Sequence, residues 1–169
     1  MSALSPLSLL RIEFEELLID EAWLLDTDQL ETWLEQFTDD IHYWAPVRQN
    51  VGRGEEDIYQ PHLLTHMDDD KLGLTLRVKR LRTGAAHAEE PPSRQRHFVS
   101  NVKILQAEDP NRVQVASNLM VFRSREGLEE HLFVAGRRDW WRREQGRWRL
   151  AERLIMLEHD MTRNITVFF

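Results

Sequence analysis

The spacing of apolar residues along this chain changes period, and that change constrains its fold more than any other feature. Up to Gly84 apolar positions recur mainly at helical intervals; from His97 onward they alternate. Leu10, Phe14, Leu17, Leu18, Leu24 and Leu25 follow i, i+4, i+7, i+8, i+14 and i+15, one stripe of a helix. Ser5-Pro6 suits its start, a capping hydroxyl followed by proline at the first helical position. Asp26-Thr27-Asp28 interrupts the stripe. Asp28 and Glu31 have the spacing of a capping box, and Leu30, Trp33, Leu34 and Phe37 form the next stripe. Asp68-Asp69-Asp70 opens a third helix, because carboxylates favour the positive end of the helix dipole. Met67, Leu74, Val78 and Leu81 give its apolar face, and Gly84 its stop.

Asp39 to Arg48 reads as a strand among these helices, ending or lying at an edge because Pro46 cannot donate to a ladder. Gln49–Pro61 and Ala85–Arg96 read as long loops. His97–Gln106, Arg112–Ser124, Leu132–Arg143 and Trp148–His159 then form four strand-like runs, separated by turn residues at Asp109-Pro110-Asn111, Arg125–Glu130 and Gln145-Gly146. Strands joined by short connections are antiparallel by default. Helices first and strands after predict an α+β fold, a helical hairpin on a curved antiparallel sheet. The length, 169 residues, suits one domain over residues 1–169.

The bulk properties exclude several chemistries. The net charge is −7, against a nucleic-acid partner, which needs a basic footprint. The local exception is the crowding of Arg137, Arg138, Arg142, Arg143, Arg147 and Arg149 around Trp140 and Trp141. The chain has no cysteine, which removes disulfides, thiolate metal sites and cysteine nucleophiles. No run approaches the roughly 18 apolar residues of a membrane span. Met1–Leu10 lacks the features of a signal peptide, so no membrane role and a cytoplasmic location are expected.

Three segments carry a family resemblance. They are Asp39-Asp40-Ile41-His42-Tyr43-Trp44-Ala45-Pro46-Val47-Arg48; the stretch from Met67-Asp68-Asp69-Asp70-Lys71 through Arg82-Thr83-Gly84 and Glu89-Glu90-Pro91-Pro92-Ser93-Arg94 to Val99-Ser100-Asn101-Val102; and Arg137-Arg138-Asp139 followed by Arg163-Asn164-Ile165-Thr166-Val167-Phe168-Phe169. Their order and spacing resemble the small (β) subunit of aromatic-ring-hydroxylating dioxygenases over nearly the whole chain. His87 departs from the tryptophan common in that family. The resemblance implies a cystatin-like, NTF2-like cone, with N-terminal helices packed on a strongly twisted antiparallel sheet. It implies a large (α) subunit as partner, typically three large and three small chains, with small-subunit contacts around a three-fold axis. The Rieske [2Fe–2S] cluster and mononuclear Fe(II) would belong to the large subunit, with no cofactor in this chain. Electrons would come from NAD(P)H through reductase and ferredoxin proteins, for cis-dihydroxylation of an aromatic ring. The small subunit would serve assembly.

Several residues invite chemistry of their own. His62 and His66, four apart beside three aspartates, would share a helical face and resemble a weak two-histidine, one-carboxylate metal site. Asp40 and His42 share a strand face, and related cones host isomerases and dehydratases with Asp/His pairs in the cavity. Each set also has a plain reading, a polar loop for the first and a hydrogen-bonded pair for the second, and the plain reading is preferred in both cases. Trp140 and Trp141 must point to opposite faces, one inward and one toward a covering element. With Arg138 they have the composition of an interface. Arg82, Glu89, Arg94 and Asn101, in or beside a loop shaped by two prolines, are expected at a subunit contact.

Overall fold

The computed structural model describes residues 4–47, 65–83, 92–125, 129–158 and 167–169. His62, His87, Glu89, Glu90 and most of the two predicted long loops lie outside them. The element order is α1 (Pro6–Asp26), α2 (Leu30–Leu34), β1 (Phe37–Pro46), β2 (Thr65–Asp69), α3 (Lys71–Arg82), β3 (Arg94–Asp109), β4 (Arg112–Arg125), β5 (Glu129–Glu144) and β6 (Arg147–Leu157). The six strands form one sheet in the order β2-β1-β6-β5-β4-β3. The fold is α+β, as the change of period predicts.

Helix α1 starts as expected: the Ser5 hydroxyl accepts from the Ser8 amide and Pro6 follows. Phe14, Leu18, Glu21 and Leu25 form its buried stripe, with Leu10, Leu17 and Leu24 partly buried beside it. The sheet supplies the opposing face by strict alternation. Val113, Val115, Leu119 and Val121 of β4 and Phe133, Ala135 and Trp141 of β5 all point inward.

The structure corrects five expectations. The Asp28–Glu31 capping box does not form. Asp28 sits at φ 58°, Gln29 takes the cap position but its side chain does not bond the helix end, and Glu31 pairs instead with Arg82. Helix α2 stops at Leu34, so Phe37 begins β1 rather than closing a helical stripe. Thr65–Asp69 is a strand, and only Asp70 caps α3, accepting from the Gly73 amide at 2.8 Å. Strand β3 begins at Arg94 rather than His97. The sheet is also mixed rather than purely antiparallel. β1 lies inside it and runs parallel to β6, while every other pairing is antiparallel. The antiparallel default governs strands joined by tight turns, and β1 and β6 are not so joined. Pro46 does end β1, at a register break in its pairing with β2.

The turns follow local chemistry. Asp109 accepts from the Asn111 amide at 2.8 Å. Gln145 and Gly146 both have positive φ, 51° and 80°, as a two-residue hairpin of matching twist requires. Strand β3 breaks register between Ser100 and Lys103, where Asn101 adopts φ 55°. This bulge bends an edge strand, a known device against edge-to-edge pairing. Asparagine tolerates that conformation and a β-branched residue does not. Asn101→Val should therefore cost about 1–2 kcal/mol in urea unfolding, and Asn101→Gly only a few tenths. Equal losses for the two variants would refute this account.

Candidate functional site

The interior, between α1 and the sheet, holds charge. Glu21, Asp139, Arg137 and Arg153 are each 2% exposed or less. Glu21 stands on the buried stripe of α1; Arg137 and Asp139 alternate with Ala135 and Trp141 on β5; Arg153 follows on β6, across from Asp139. The two carboxylates balance the two guanidiniums, as burial of charge requires.

Arg153 organises the group. Its Nε and Nη2 donate to both Asp139 carboxylate oxygens at 3.0 and 2.8 Å. Its Nη1 and Nη2 donate to the Glu21 oxygens at 2.5 and 2.8 Å, and Nη1 also reaches the Phe169 main-chain oxygen at 2.8 Å. Glu21 accepts further from Trp33 Nε1 at 3.0 Å and Arg137 Nη1 at 3.3 Å. Arg137 Nε donates to the Ser117 hydroxyl at 3.2 Å.

Burial alone would push the Glu21 carboxyl up. The Arg153 and Arg137 guanidiniums outweigh burial and hold it at about 2. Burial likewise opposes the charge on Arg153, yet Asp139 and Glu21 keep its pKa well above the ordinary value. Burial, then the like charge of Arg153, lowers Arg137. The Glu21 pKa falls on folding, so its contribution is complete above about 4.5 and is lost as pH drops toward 2. That contribution is on the order of 3 kcal/mol. Unfolding free energy should be nearly level above about pH 5 and fall steeply below about 4.5. Stability unchanged down to about pH 2.5 would contradict the assignment.

Residues Val167–Phe169 close the interior. All three are buried. The Tyr43 hydroxyl donates to the Phe169 oxygen at 2.5 Å and accepts from the Phe169 amide at 2.7 Å. Burial pushes the Tyr43 phenol up to about 12, so it stays a donor. Phe168 packs on Trp33 with ring centroids 4.5 Å apart, and Phe169 meets Phe133 edge-on at 5.7 Å. His97 is held between the Asp26 carboxylate, 2.7 Å from Nδ1, and the Phe168 oxygen, 3.0 Å from Nε2.

The residues singled out in the sequence are distributed differently. Asp40 and His42 share the outer face of β1, outside this interior. Asp40 accepts from Arg142 at 2.7 and 3.1 Å, which holds its carboxyl at about 2, and His42 pairs with Asp68 at 2.9 Å. His66 stands on strand β2, so the helical i, i+4 geometry with His62 does not hold on its side. Among the described residues no three His, Cys, Asp or Glu side chains gather to hold a metal ion. Trp141 is buried against Phe14, centroids 5.8 Å apart. Trp140 points out under the Arg112 guanidinium at 4.2 Å, and Arg138 is exposed beside it. Arg137, from the same arginine cluster, is interior.

Arg82 clamps the α1–α2 connection, bonding Glu31 at 2.8 Å and also the Asp28 side chain. Arg82 and Arg94 line one surface cleft of about 430 Å³, whose lining also includes Leu25, Leu30, Leu81 and Phe168. Lys71 reaches inward to the main-chain oxygens of Leu34 and Phe37, and burial lowers its pKa. The Asp69 carboxylate receives Arg77 at 2.7 Å. Met67, Asp69, Asp70 and Lys71 thus each have a structural task in joining α3 to β1 and β2.

Comparison with known proteins bears on the whole arrangement. The family described as ring hydroxylating beta subunit matches residues 20–164. A structure of naphthalene 1,2-dioxygenase with indole in its active site contains a chain 26% identical, with a TM-score of 0.84, covering 96% of this chain and 86% of that one. The β subunit of benzoate 1,2-dioxygenase from Burkholderia mallei ATCC 23344 shares the fold at 20% identity and a TM-score of 0.73, over 99% of this chain and 100% of that one. A protein from Novosphingobium aromaticivorans DSM 12444, provisionally assigned as a scytalone dehydratase, shares it at 13% identity and a TM-score of 0.67, covering 92% and 91%. No helix among the described residues is long and apolar enough to cross a membrane. The architecture is therefore the α+β, NTF2-like one, and the chain belongs to the ring-hydroxylating β-subunit family, the small subunits of aromatic-ring-hydroxylating dioxygenases.

Proposed function

We propose that this chain is the structural, non-catalytic subunit of a terminal oxygenase. It supports a large subunit that carries a Rieske [2Fe–2S] cluster and a mononuclear iron and performs cis-dihydroxylation of an aromatic compound. Electrons reach that subunit from NAD(P)H through ferredoxin and reductase proteins. The assembly holds three large and three small chains, works in the cytoplasm, and includes this chain as one domain.

One observation carries the structural role. The interior, where a cone-shaped enzyme would hold its substrate, is filled here by a self-balanced ion group and by Val167–Phe169. A general acid or base must be free to exchange a proton near neutral pH. Glu21 is held at about 2 and Tyr43 at about 12, and both are fully engaged in hydrogen bonds, so neither is suited to that task. Asp40 and His42, the residues of the alternative isomerase or dehydratase reading, are exposed on the outer sheet face and bonded to Arg142 and Asp68.

The test is co-expression with an iron-containing large subunit. The two chains should co-purify, iron should follow the large subunit, and dihydrodiol formation should require it. Turnover by the isolated chain would overturn the proposal. Arg94, exposed at the rim of the cleft shared with Arg82, is proposed to contact a neighbouring subunit. Arg94→Glu should then reduce the assembled mass seen by light scattering, and an unchanged mass would count against that contact.

A further inference from the structure

A cleft of about 300 Å³ lies between helix α1 and the β5–β6 hairpin, and no member of the interior ion group lines it. Trp141, Trp148 and Leu17 give it apolar walls. Phe14 braces both indoles, with ring centroids 5.8 and 5.0 Å away. The space suits a single ring, since an apolar cavity of about 150 Å³ already admits benzene. Arg82 and Arg94 line a different cleft, so this one is separate from the subunit contact proposed for them.

Two of the side chains that line it carry an unanswered polar atom. Trp141 is 2% exposed, and its Nε1 has no hydrogen-bond partner among the described residues. The same holds for the buried Oε1 of Gln36. Neighbouring indoles are satisfied: Trp33 Nε1 donates to Glu21 and Trp148 Nε1 to Glu13. Backbone pairing holds the two orphaned groups at one end of the sheet. The Gln36 main-chain oxygen accepts from the Leu150 amide at 2.9 Å, and Leu150 lies across from Trp141. A buried polar atom without a partner bears the full cost of its desolvation. The indole N–H only donates and the amide oxygen only accepts. A single group that accepts from one and donates to the other answers both. A hydroxyl does this; an ether, a carboxylate or an ammonium cannot. The charges at the mouth favour a neutral ligand, because Glu13 and Arg147 stand there with opposite sign, both exposed.

We propose that this cleft is a binding site for a small phenol. The ring packs against Trp141, Trp148 and Leu17, as small-molecule sites combine apolar walls with a few placed polar groups. Trp141 Nε1 donates to the phenol oxygen, and the phenol hydroxyl donates to Gln36 Oε1. The site binds its ligand without transforming it.

The experiment uses the full chain alone, because the large subunit proposed above would itself bind aromatic compounds. Calorimetric titration with phenol should give one site with a Kd on the order of 1 mM, within reach of so small a ligand. Anisole keeps the ring and the acceptor oxygen but has no proton for Gln36, and should bind about tenfold more weakly. Toluene lacks both polar functions and should bind more weakly still. In nitrogen–proton correlation spectra phenol should move one indole N–H signal downfield, and Trp141→Phe should lack that signal. Gln36→Leu should lower phenol affinity to the anisole level and leave anisole unchanged, whereas Trp141→Phe should weaken both. Absence of phenol binding well above that concentration would overturn the proposal, with the two orphaned atoms meeting water only. So would equal affinity for phenol and toluene, which would mean apolar partition without the hydroxyl bridge. Affinity unchanged in both variants, or movement of a different indole signal, would place phenol elsewhere and refute the site. Should either variant fold poorly, the parent chain still decides the matter. The three-ligand comparison tests the hydroxyl bridge there, and nuclear Overhauser contacts between the phenol ring and the Leu17 methyls test the position.

Discussion

Glu21→Gln should destabilise this chain by roughly 3–5 kcal/mol, the usual cost of removing one member of a buried ion group. Glutamine keeps the shape but not the charge, so Arg153 and Arg137 are left facing Asp139 alone in a dry interior. Two guanidiniums against one carboxylate is an uncompensated buried charge, and neither Arg153 nor Arg137 can escape to water without disturbing β5 or β6. Urea unfolding followed by tryptophan fluorescence measures the loss, since Trp33 donates directly to Glu21. A change below about 1 kcal/mol would mean that the group is worth no more than an exposed ion pair. Removing the whole group gives a sharper contrast. Apolar residues of similar volume at Glu21, Arg137, Asp139 and Arg153 together should cost less than the single change, because no unpaired charge remains. This contrast separates the cost of an orphaned charge from the worth of the complete network.

A chain lacking Val167–Phe169 should fail to reach the native state. Each buried phenylalanine is worth about 3–5 kcal/mol by truncation, and whole domains are stable by only about 5–15 kcal/mol. The loss extends beyond apolar burial. Tyr43 loses both hydrogen bonds to Phe169, Arg153 loses an acceptor, and His97 loses its contact with Phe168. The shortened chain should show weak near-ultraviolet circular dichroism and no cooperative melt. A cooperative transition within about 5 °C of the parent would refute the claim, because a loss above about 1 kcal/mol already shifts the midpoint by several degrees. Phe169→Leu, which keeps most of the volume and all of the main-chain bonds, should fold and cost far less.

Fold class was legible from the change of period, and the four long strands were legible from alternation and turn residues. Strand β2 was not, because Thr65–Asp69 is short and acidic, and the same aspartates suit a helix start. Only Asp70 caps the helix, while Asp68 and Asp69 remain in the ladder with β1. The parallel pairing of β1 with β6 has no local signature, since it joins segments far apart in sequence. The interior charges did leave a trace. Glu21 falls on the stripe of Phe14, Leu18 and Leu25, and Arg137 and Asp139 keep step with Phe133, Ala135 and Trp141. A charged residue in register with buried ones is the mark of an internal ion group. Here it was masked by neighbours of the same kind: Arg137 is one of a crowd of arginines, most of which are on the surface.

The parallel pairing also sets an order of assembly in time. Strands β3 to β6 are joined by short connections and can pair as soon as they exist, whereas the parallel pairing of β1 must wait for β6, the last strand among the described residues. Contacts between distant segments form late because loop closure precedes any reward. On a ribosome, the helices and the β1–β2 pair therefore emerge before the strands they join, and the first half of the chain is expected to remain open until β6 has emerged. Pulsed hydrogen exchange should show the β4–β5 amides protected before those of β1. Simultaneous protection would mean that the two halves fold together.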